Sequence, residues 1–297
     1  MASLYSFFIV MLVFPAIIII IVDSIFLVDV RNERIRVAQA SGADDSLISK
    51  LGSRPAWVNW ARSLAPWLLL ILIVRACIIE PFSIPSTSMS PQLEIGDQIV
   101  VSKFAYGVRE PIFQRVLLET NTPHRGDVAV FRNPEHPSID YIKRVIGLPG
   151  DVVIYQNKML SIIPACLKAE PCPAIINVEQ TARNDTMIDS DGSEMLLFEE
   201  TLNGIEYVIA RTTSKVDNTL DYFSQRNTEV ERFVVPVDHY FMMGDNRDNS
   251  RDSRFFGFVD KSALIGKSLA IALSIQGKSE NPWYKKSINI ERVGAIQ

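Results

Sequence analysis

Asp140-Tyr141-Ile142-Lys143-Arg144-Val145-Ile146-Gly147-Leu148-Pro149-Gly150-Asp151 alternates like a β-strand and stops at a turn built from Gly147, Pro149 and Gly150. On such a strand Tyr141, Lys143 and Val145 share one face, and Ile142, Arg144 and Ile146 share the other. Similar short runs lie at 98–102, 127–131, 151–155, 205–209, 233–235 and 240–243, with no long amphipathic helix between them. Gly96-Asp97, Gly126-Asp127, Gly150-Asp151 and Gly244-Asp245 punctuate the runs, where glycine tolerates the positive φ of a turn. The pattern predicts a mainly β, antiparallel domain over 80–156 and 233–297. Residues 157–232 are more polar and lack the dense Gly-Asp punctuation, and they read as an inserted, smaller β subdomain.

Upstream the character changes. Residues 4–22 form an apolar run which, at roughly 1.5 Å per residue, matches the hydrocarbon core of a bilayer. With its flank (1–28) it reads as a membrane helix. A cleaved signal peptide fits less well: no basic residue precedes the run, the run is too long, and no small-x-small site follows before Asp23. Arg31, Arg34, Arg36, Lys50, Arg54 and Arg62 follow, whereas the first 22 residues carry no basic residue. That asymmetry predicts a cytoplasmic loop at 29–56 and an external N-terminus. A second apolar stretch, 64–74, is interrupted by Arg75 and resumes at 76–79. Extended back through Trp57, Val58 and Trp60, with Arg62 and Arg75 snorkelling in opposite directions, it gives a second transmembrane helix at 57–79, the alternative being an interfacial helix. If it spans, the β domain is extracytoplasmic. The expectation is a multi-pass protein of the inner (plasma) membrane, with the N-terminus and the β domain on the periplasmic side.

The 297 residues leave room for two small domains beside the spans, and a net charge of −4 excludes the basic surplus typical of nucleic-acid binders. Cys166 and Cys172 stand in an otherwise cysteine-free region and read as a short-loop disulfide if that region faces an oxidising compartment, or as two unpaired thiols if it does not. His124, His136 and His239 are scattered, and no Cys/His spacing suggests a metal site. No metal or other cofactor is expected.

Three stretches could carry chemistry. Phe82-Ser83-Ile84-Pro85-Ser86-Thr87-Ser88-Met89-Ser90-Pro91-Gln92-Leu93 sets hydroxyls on a proline-stiffened backbone beside apolar residues, although a Ser/Thr/Pro run is more often a polar linker. Lys143 reads as an edge residue if exposed; if buried, desolvation lowers its pKa and yields a neutral amine able to act as a general base. The run 244–259 reads as a charged turn, or as a scaffold of mutually bonded side chains behind a reactive site.

Together these stretches resemble the bacterial type I signal peptidases (leader peptidases), membrane-anchored serine proteases of the Ser/Lys type. The matching pieces are Pro85 through Leu93 with Ile95-Gly96-Asp97, then Gly126 through Phe131, then Asp140 through Arg144 with Gly147 through Asp151, and Gly244 through Ser250 with Asp252-Ser253-Arg254 and Gly257-Phe258-Val259. The resemblance implies Ser88 as nucleophile, Lys143 as general base, and an oxyanion hole made by Ser86 and the Ser88 backbone N–H. It implies that Ser250 orients the lysine amine, that Asp252 and Arg254 form a supporting ion pair, and that Gly244 leaves room beside the base. Thr87 and Ser90 stand where glycine and methionine are common. Phe82, Ile84, Pro85, Met89, Leu93, Ile99, Val130, Tyr141 and Ile142 resemble the family's pocket residues, implying cleavage after a small-x-small motif. The implied partners are secretory preproteins with signal peptides, the lipid bilayer and the secretion translocon. Ser88 lies nine residues past Ile79, which sets the expected site near the outer bilayer surface.

Two other readings compete: a Ser-His-Asp protease using His124, His136 or His239, and a noncatalytic tethered β module. Elsewhere, Lys158, Lys168, Glu199 and Glu200 read as solvated surface, and Trp283 with Tyr284 as core or a membrane-contact patch.

Overall fold

The computed structural model describes residues 2–74, 78–110, 115–166, 171–212, 217, 219–276 and 287–296, with side chains from residue 8 onward. Arg75, Lys168, Trp283 and Tyr284, for which roles were expected, lie outside these residues. The chain divides into two compact units, Met1–Ile78 with Arg109–Arg115, and Ile79–Val108 with Val116–Gln297.

In the first unit an α-helix over Ala2–Val22 passes through a π-turn, Asp23–Leu27, into a second α-helical stretch, Val28–Ala40. Helices Asp45–Gly52 and Ala56–Ile73 follow. Much of the segment read as a loop is therefore helical. The physical reason lies in 28–40, which is rich in helix formers, has a Glu33–Arg36 pair one turn apart, and meets no glycine or proline before Gly42. Phe8–Ala40 and Ala56–Ile73 are long and apolar enough to cross a membrane. Phe8, Leu12, Phe14, Trp60, Trp67 and Leu70 stand exposed along them, an apolar surface that lipid would cover. Buried Asp23 receives Arg31, with Arg54 at 3.3 Å and Arg62 at 3.9 Å. Arg62 also donates to Ser24 Oγ at 2.8 Å, so its side chain runs toward the charged end of the first helix. Ile79, expected to close the second helix, instead opens a strand, Ile79–Ser83; Pro81 favours an extended conformation at Glu80.

The second unit is built on antiparallel pairing. The main sheet runs, in order, Ile79–Ser83, Asp97–Ser102, Leu264–Gln276, Val128–Arg132, Asp140–Gly147, His239–Met243 and Val259–Asp260, with Ser287–Ile288 and Gly294–Ala295 added to Leu264–Gln276. The strand Asp140–Gly147 is buried on both faces from Ile142 onward. Val145 packs with Ala129, Phe131, Tyr240 and Met242, whereas Ile142 packs with Ile84, Met89, Leu93, Ile99 and Val130. Ile146 joins a third apolar cluster with Val153, Leu160, Ile162, Ile209 and Phe241.

That third cluster links the inserted region to the main sheet. Its strands form a three-stranded sheet, Gln180–Ile188, Glu194–Leu202 and Ile205–Arg211, and part of a four-stranded one, Arg232–Val234, Val152–Gln156, Met159–Ile163 and Ile176–Asn177. The expected boundary at 156/157 falls inside the hairpin formed by Val152–Gln156 and Met159–Ile163. Insert and main sheet thus share one core. Cys166 and Cys172 are joined by a disulfide, with their Cα atoms 5.1 Å apart.

Three of the four Gly-Asp pairs are one repeated device. Gly96, Gly126 and Gly150 have φ of 99°, 91° and 86°, the third position of a tight turn. In each, the following Asp returns its N–H to the carbonyl three residues back, and its carboxylate accepts the N–H of that same residue: Glu94 for Asp97, His124 for Asp127, Leu148 for Asp151. Gly244 departs from the set, since its φ is not positive, and its reason for being glycine is space.

Two expectations of solvated surface fail. Glu200 is 0 % exposed, because Arg247, Gln180 and the Tyr207 hydroxyl all bond to its carboxylate. Lys158 is drawn in by Asp248 at 2.8 Å and the Thr212 carbonyl at 2.6 Å. Glu199, one residue away on the opposite strand face, stays exposed.

Candidate active site

The strand Ile79–Ser83 hands its register to Ile84, which donates to Asp97 O at 2.9 Å and accepts from Gly96 N at 3.2 Å. Beyond Pro85 the chain turns tightly, with Ser90 N bonded to Thr87 O and Leu93 N to Met89 O, both at 2.9 Å. Met89 and Leu93, each 0 % exposed, pin this turn into the apolar cluster around Ile99 and Val130. Ser88 is therefore presented by a backbone anchored immediately downstream.

Lys143 arrives from the central strand, opposite Ala129 on the neighbouring strand. It is 3 % exposed, and its Nζ donates to Ser88 Oγ at 2.5 Å. Burial pushes its pKa down to about 8; Asp252 and Asp245 oppose that shift, and Arg254 adds to it. Once the amine is neutral the same contact reverses, the hydroxyl donating to nitrogen. Ser86 Oγ lies 3.3 Å from Ser88 Oγ. Neither His124 nor His239 bonds to Ser88; they lie beside Asp127 and Asp260, at 3.9 and 3.7 Å.

Behind the pair stands the run 244–254. Arg254 grips both oxygens of Asp252 at 2.8 Å and donates to Arg247 O at 2.7 Å, all inside the protein. Burial works to raise the Asp252 pKa, but Arg254 and the Gly244 N–H outweigh it and hold the carboxyl below its usual range. Asp252 Oδ2 accepts from Gly244 N at 3.0 Å. The expected bond between Ser250 and the lysine amine is not formed: Ser250 Oγ is buried with no hydrogen-bond partner among the described residues. The hydroxyl sits close behind the dyad, because a Cβ on Gly244 would fall 2.2 Å from Ser250 Oγ and 2.4 Å from the Ser88 carbonyl oxygen.

Of the expected pocket residues, Phe82, Ile84, Met89, Leu93, Ile99, Val130 and Ile142 form one continuous apolar cluster. Pro85 is exposed at the entry to the Ser88 turn. Tyr141 belongs to the other face, edge-on to Phe131 and Phe256, with its ring 5.4 Å from Lys143 Nζ. The departure at Thr87 is filled by polar contacts, Asn249 Nδ2 donating to Thr87 Oγ1 at 3.2 Å; Ser90 Oγ donates to Leu93 O at 3.3 Å.

Sequence reasoning missed the partners that lock this scaffold. Arg144 is 0 % exposed, bidentate to Asp245 at 2.8 and 2.7 Å, and its guanidinium lies 3.9 Å from the Tyr207 ring centre. The signal was present: an arginine two residues from Ile142 and two from Ile146 lies on a buried strand face and requires a buried acid. Asn246 and Asp189 were also missed, and no local pattern marks either.

The family described as signal peptidase, peptidase S26, matches residues 57–273. Signal peptidase I of Buchnera aphidicola subsp. Acyrthosiphon pisum is 38% identical over 268 residues, 84% of this chain and 85% of its own. Signal peptidase I of Pseudomonas fluorescens is 36% identical over 295 residues, 93% of each chain, and that of Pseudomonas aeruginosa 35% identical over 268 residues, 87% of this chain and 86% of its own.

Proposed function

The chain belongs to the signal peptidase I family, peptidase S26, membrane serine peptidases that remove signal peptides from preproteins, and from that premise we propose that it cuts through an acyl-enzyme on Ser88 with Lys143 as general base. The observation that carries this reading is the 2.5 Å approach of a buried Lys143 amine to the Ser88 hydroxyl.

A serine hydroxyl is a weak nucleophile at neutral pH and needs a base within hydrogen-bond reach. Neutral Lys143 takes the Ser88 proton as Oγ attacks the scissile carbonyl carbon. The oxyanion then accepts hydrogen bonds from the Ser88 N–H and Ser86 Oγ, each worth about 3 kcal/mol in comparable sites. Collapse breaks the C–N bond, the Lys143 ammonium protonates the departing amine, and the signal peptide remains as an ester on Ser88. Lys143, neutral again, deprotonates a water that attacks the ester, releasing the carboxylate and regenerating the serine. Asp252, held by Arg254, fixes the loop that carries Ser250.

The apolar cluster around Ile84, Met89, Leu93 and Ile142 supports a preference for small side chains before the cut. Ladder pairing by His239–Met243 reaches only Arg144, Val145 and Gly147, which leaves the Tyr141–Ile142 edge for an extended substrate to pair with. The basic residues between the two spans support a cytoplasmic 29–56 and a periplasmic active site, close to the translocon that delivers preproteins.

Ser88→Ala and Lys143→Ala should each abolish processing of a preprotein while the chain stays folded and inserted, whereas a His124/His136/His239 triple alanine variant keeps activity. Normal cleavage by either single variant would overturn the dyad. Trypsin added to spheroplasts should digest the β domain and spare 29–56, and the reverse pattern would invert the topology.

A further inference from the structure

Asp189 lies far from Ser88 in sequence, in the turn between strands Gln180–Ile188 and Glu194–Leu202, yet it is 5 % exposed and bonded to the loop behind the nucleophile. Its Oδ2 accepts from Asn246 Nδ2 at 3.1 Å and from Asn249 Nδ2 at 2.9 Å. Its Oδ1 accepts from the Ser190 N–H at 2.6 Å. Each asparagine directs its second amide proton to Thr87: Asn246 Nδ2 to the Thr87 carbonyl and Asn249 Nδ2 to Thr87 Oγ1, both at 3.2 Å. The Asn246 backbone N–H also donates to Ser88 O at 3.1 Å. The two carbonyls that bracket Ser88 are therefore both bonded by Asn246, the Thr87 carbonyl together with the Ser90 N–H at 2.9 Å, and the Asn246 amide is oriented by Asp189.

The Thr87 carbonyl and the Ser88 N–H belong to one peptide unit. That unit is planar and trans, so its C=O and N–H point in opposite directions, and a donor gripping the oxygen from behind fixes where the N–H is aimed. We infer that Asp189, from the inserted region, is a positioning residue for this reaction, holding Asn246 so that the Ser88 N–H faces the oxyanion that develops during cleavage; the inference rests on Ser88 being the nucleophile. The residue type follows from the contacts. Both asparagine amides and the Ser190 N–H present donors, so the side chain between them must accept at both oxygens, which a carboxylate does and an amide does at only one. The turn that carries Asp189 is itself braced, since Asp189 N donates to Ser193 O and Gly192 N to Asp189 O, both at 2.9 Å. Thr87 adds the second strap through its hydroxyl, a contact glycine could not make.

An oxyanion donor acts in the transition state and contributes little to substrate binding, so its misalignment lowers kcat and leaves KM nearly unchanged. Asp189→Ala should lower kcat on a preprotein roughly ten- to a hundredfold with KM within about twofold. Asp189→Asn, keeping one acceptor for the two amides, should fall between alanine and the native enzyme. Rates are normalised to the folded fraction read from the thermal unfolding transition of each preparation. If Asp189 only staples its hairpin, the alanine variant loses thermal stability while kcat per folded enzyme stays native, and the inference fails. Should Asp189→Ala not fold, Asp189→Asn decides: a native kcat overturns the inference, and a loss of kcat at constant KM supports it. Ser88→Ala, assayed alongside, separates the two claims. Cleavage by that variant defeats the nucleophile assignment, whereas a dead Ser88→Ala with a fully active Asp189 variant defeats the positioning role alone.

Discussion

Gly244 stands so close to Ser250 that a Cβ on it would fall 2.2 Å from the Ser250 hydroxyl oxygen, and the same atom would lie 2.4 Å from the Ser88 carbonyl. Neither neighbour can yield without disturbing the site, since one is a buried hydroxyl and the other is the Ser88 backbone itself. Gly244→Ala is expected to fold, with an overpacking cost of about 1–3 kcal/mol, and to lose at least about tenfold in kcat. Thermal unfolding and preprotein cleavage on one preparation check both halves. An alanine variant with native kcat would show that the site relaxes freely at this contact.

Glu199 and Glu200 are adjacent, yet only Glu200 is buried, its carboxylate taking Arg247, Gln180 and Tyr207. Removing it leaves the Arg247 guanidinium uncompensated inside the protein, which costs about 3–5 kcal/mol. Glu200→Ala should therefore be severely destabilised, and Glu199→Ala should stay within about 0.5 kcal/mol of the native chain. Urea unfolding of the two variants decides it, and equal midpoints would refute the buried-pair account.

The contrast between these glutamates also marks how far the sequence could be read. Strand alternation around Lys143 and the Gly-Asp turns depend on neighbours a few residues apart, so the β domain and the faces of its central strand were legible locally. Glu200 was not: its partner Arg247 lies across the fold, and nothing within its own strand distinguishes it from a solvated acid. Asp189 is similar, a turn aspartate whose importance exists only once Asn246 and Asn249 are beside it. The helical continuation through 28–40 was hidden for a different reason, because its dense charge resembles that of a solvated loop although its residues favour a helix. The expected bond from Ser250 to the amine depends on side-chain rotation that spacing cannot specify.

Gly96 and Gly204 both have positive φ, 99° and 79°, but their surroundings differ. A Cβ at 96 would lie 2.1 Å from the Ile275 carbonyl oxygen, whereas one at 204 meets nothing within 4 Å. Gly204→Ala then carries backbone strain alone, about 1 kcal/mol. Gly96→Ala adds a backbone clash that separates the strands Asp97–Ser102 and Leu264–Gln276, and it should lower the unfolding midpoint markedly further. Comparable midpoints for the two variants would mean that the strand pair adjusts at little cost.

Lys143 makes opposite demands on activity and stability. Burial holds its pKa at about 8 against an ordinary 10.5, so the folded protein binds this proton more weakly than the unfolded chain does. The sign follows from that difference: as pH falls below 10.5 the unfolded chain takes up the proton first, the penalty on folding grows until about pH 8, and it is constant below that. Its full size is about 3 kcal/mol. Replacing the amine by an apolar chain of similar length removes the penalty, so Lys143→Met should unfold at a higher temperature than the native enzyme at pH 7, with the gain shrinking toward pH 10. The proposed mechanism needs the neutral amine for cleavage, so native kcat/KM should rise about tenfold per pH unit up to about 8 and then level. Lys143→Met and the permanently charged Lys143→Arg should both be inactive at every pH. A methionine variant no more stable than the native chain at pH 7, or a native kcat/KM still rising tenfold per unit at pH 9, would mean that burial does not lower the Lys143 pKa to about 8.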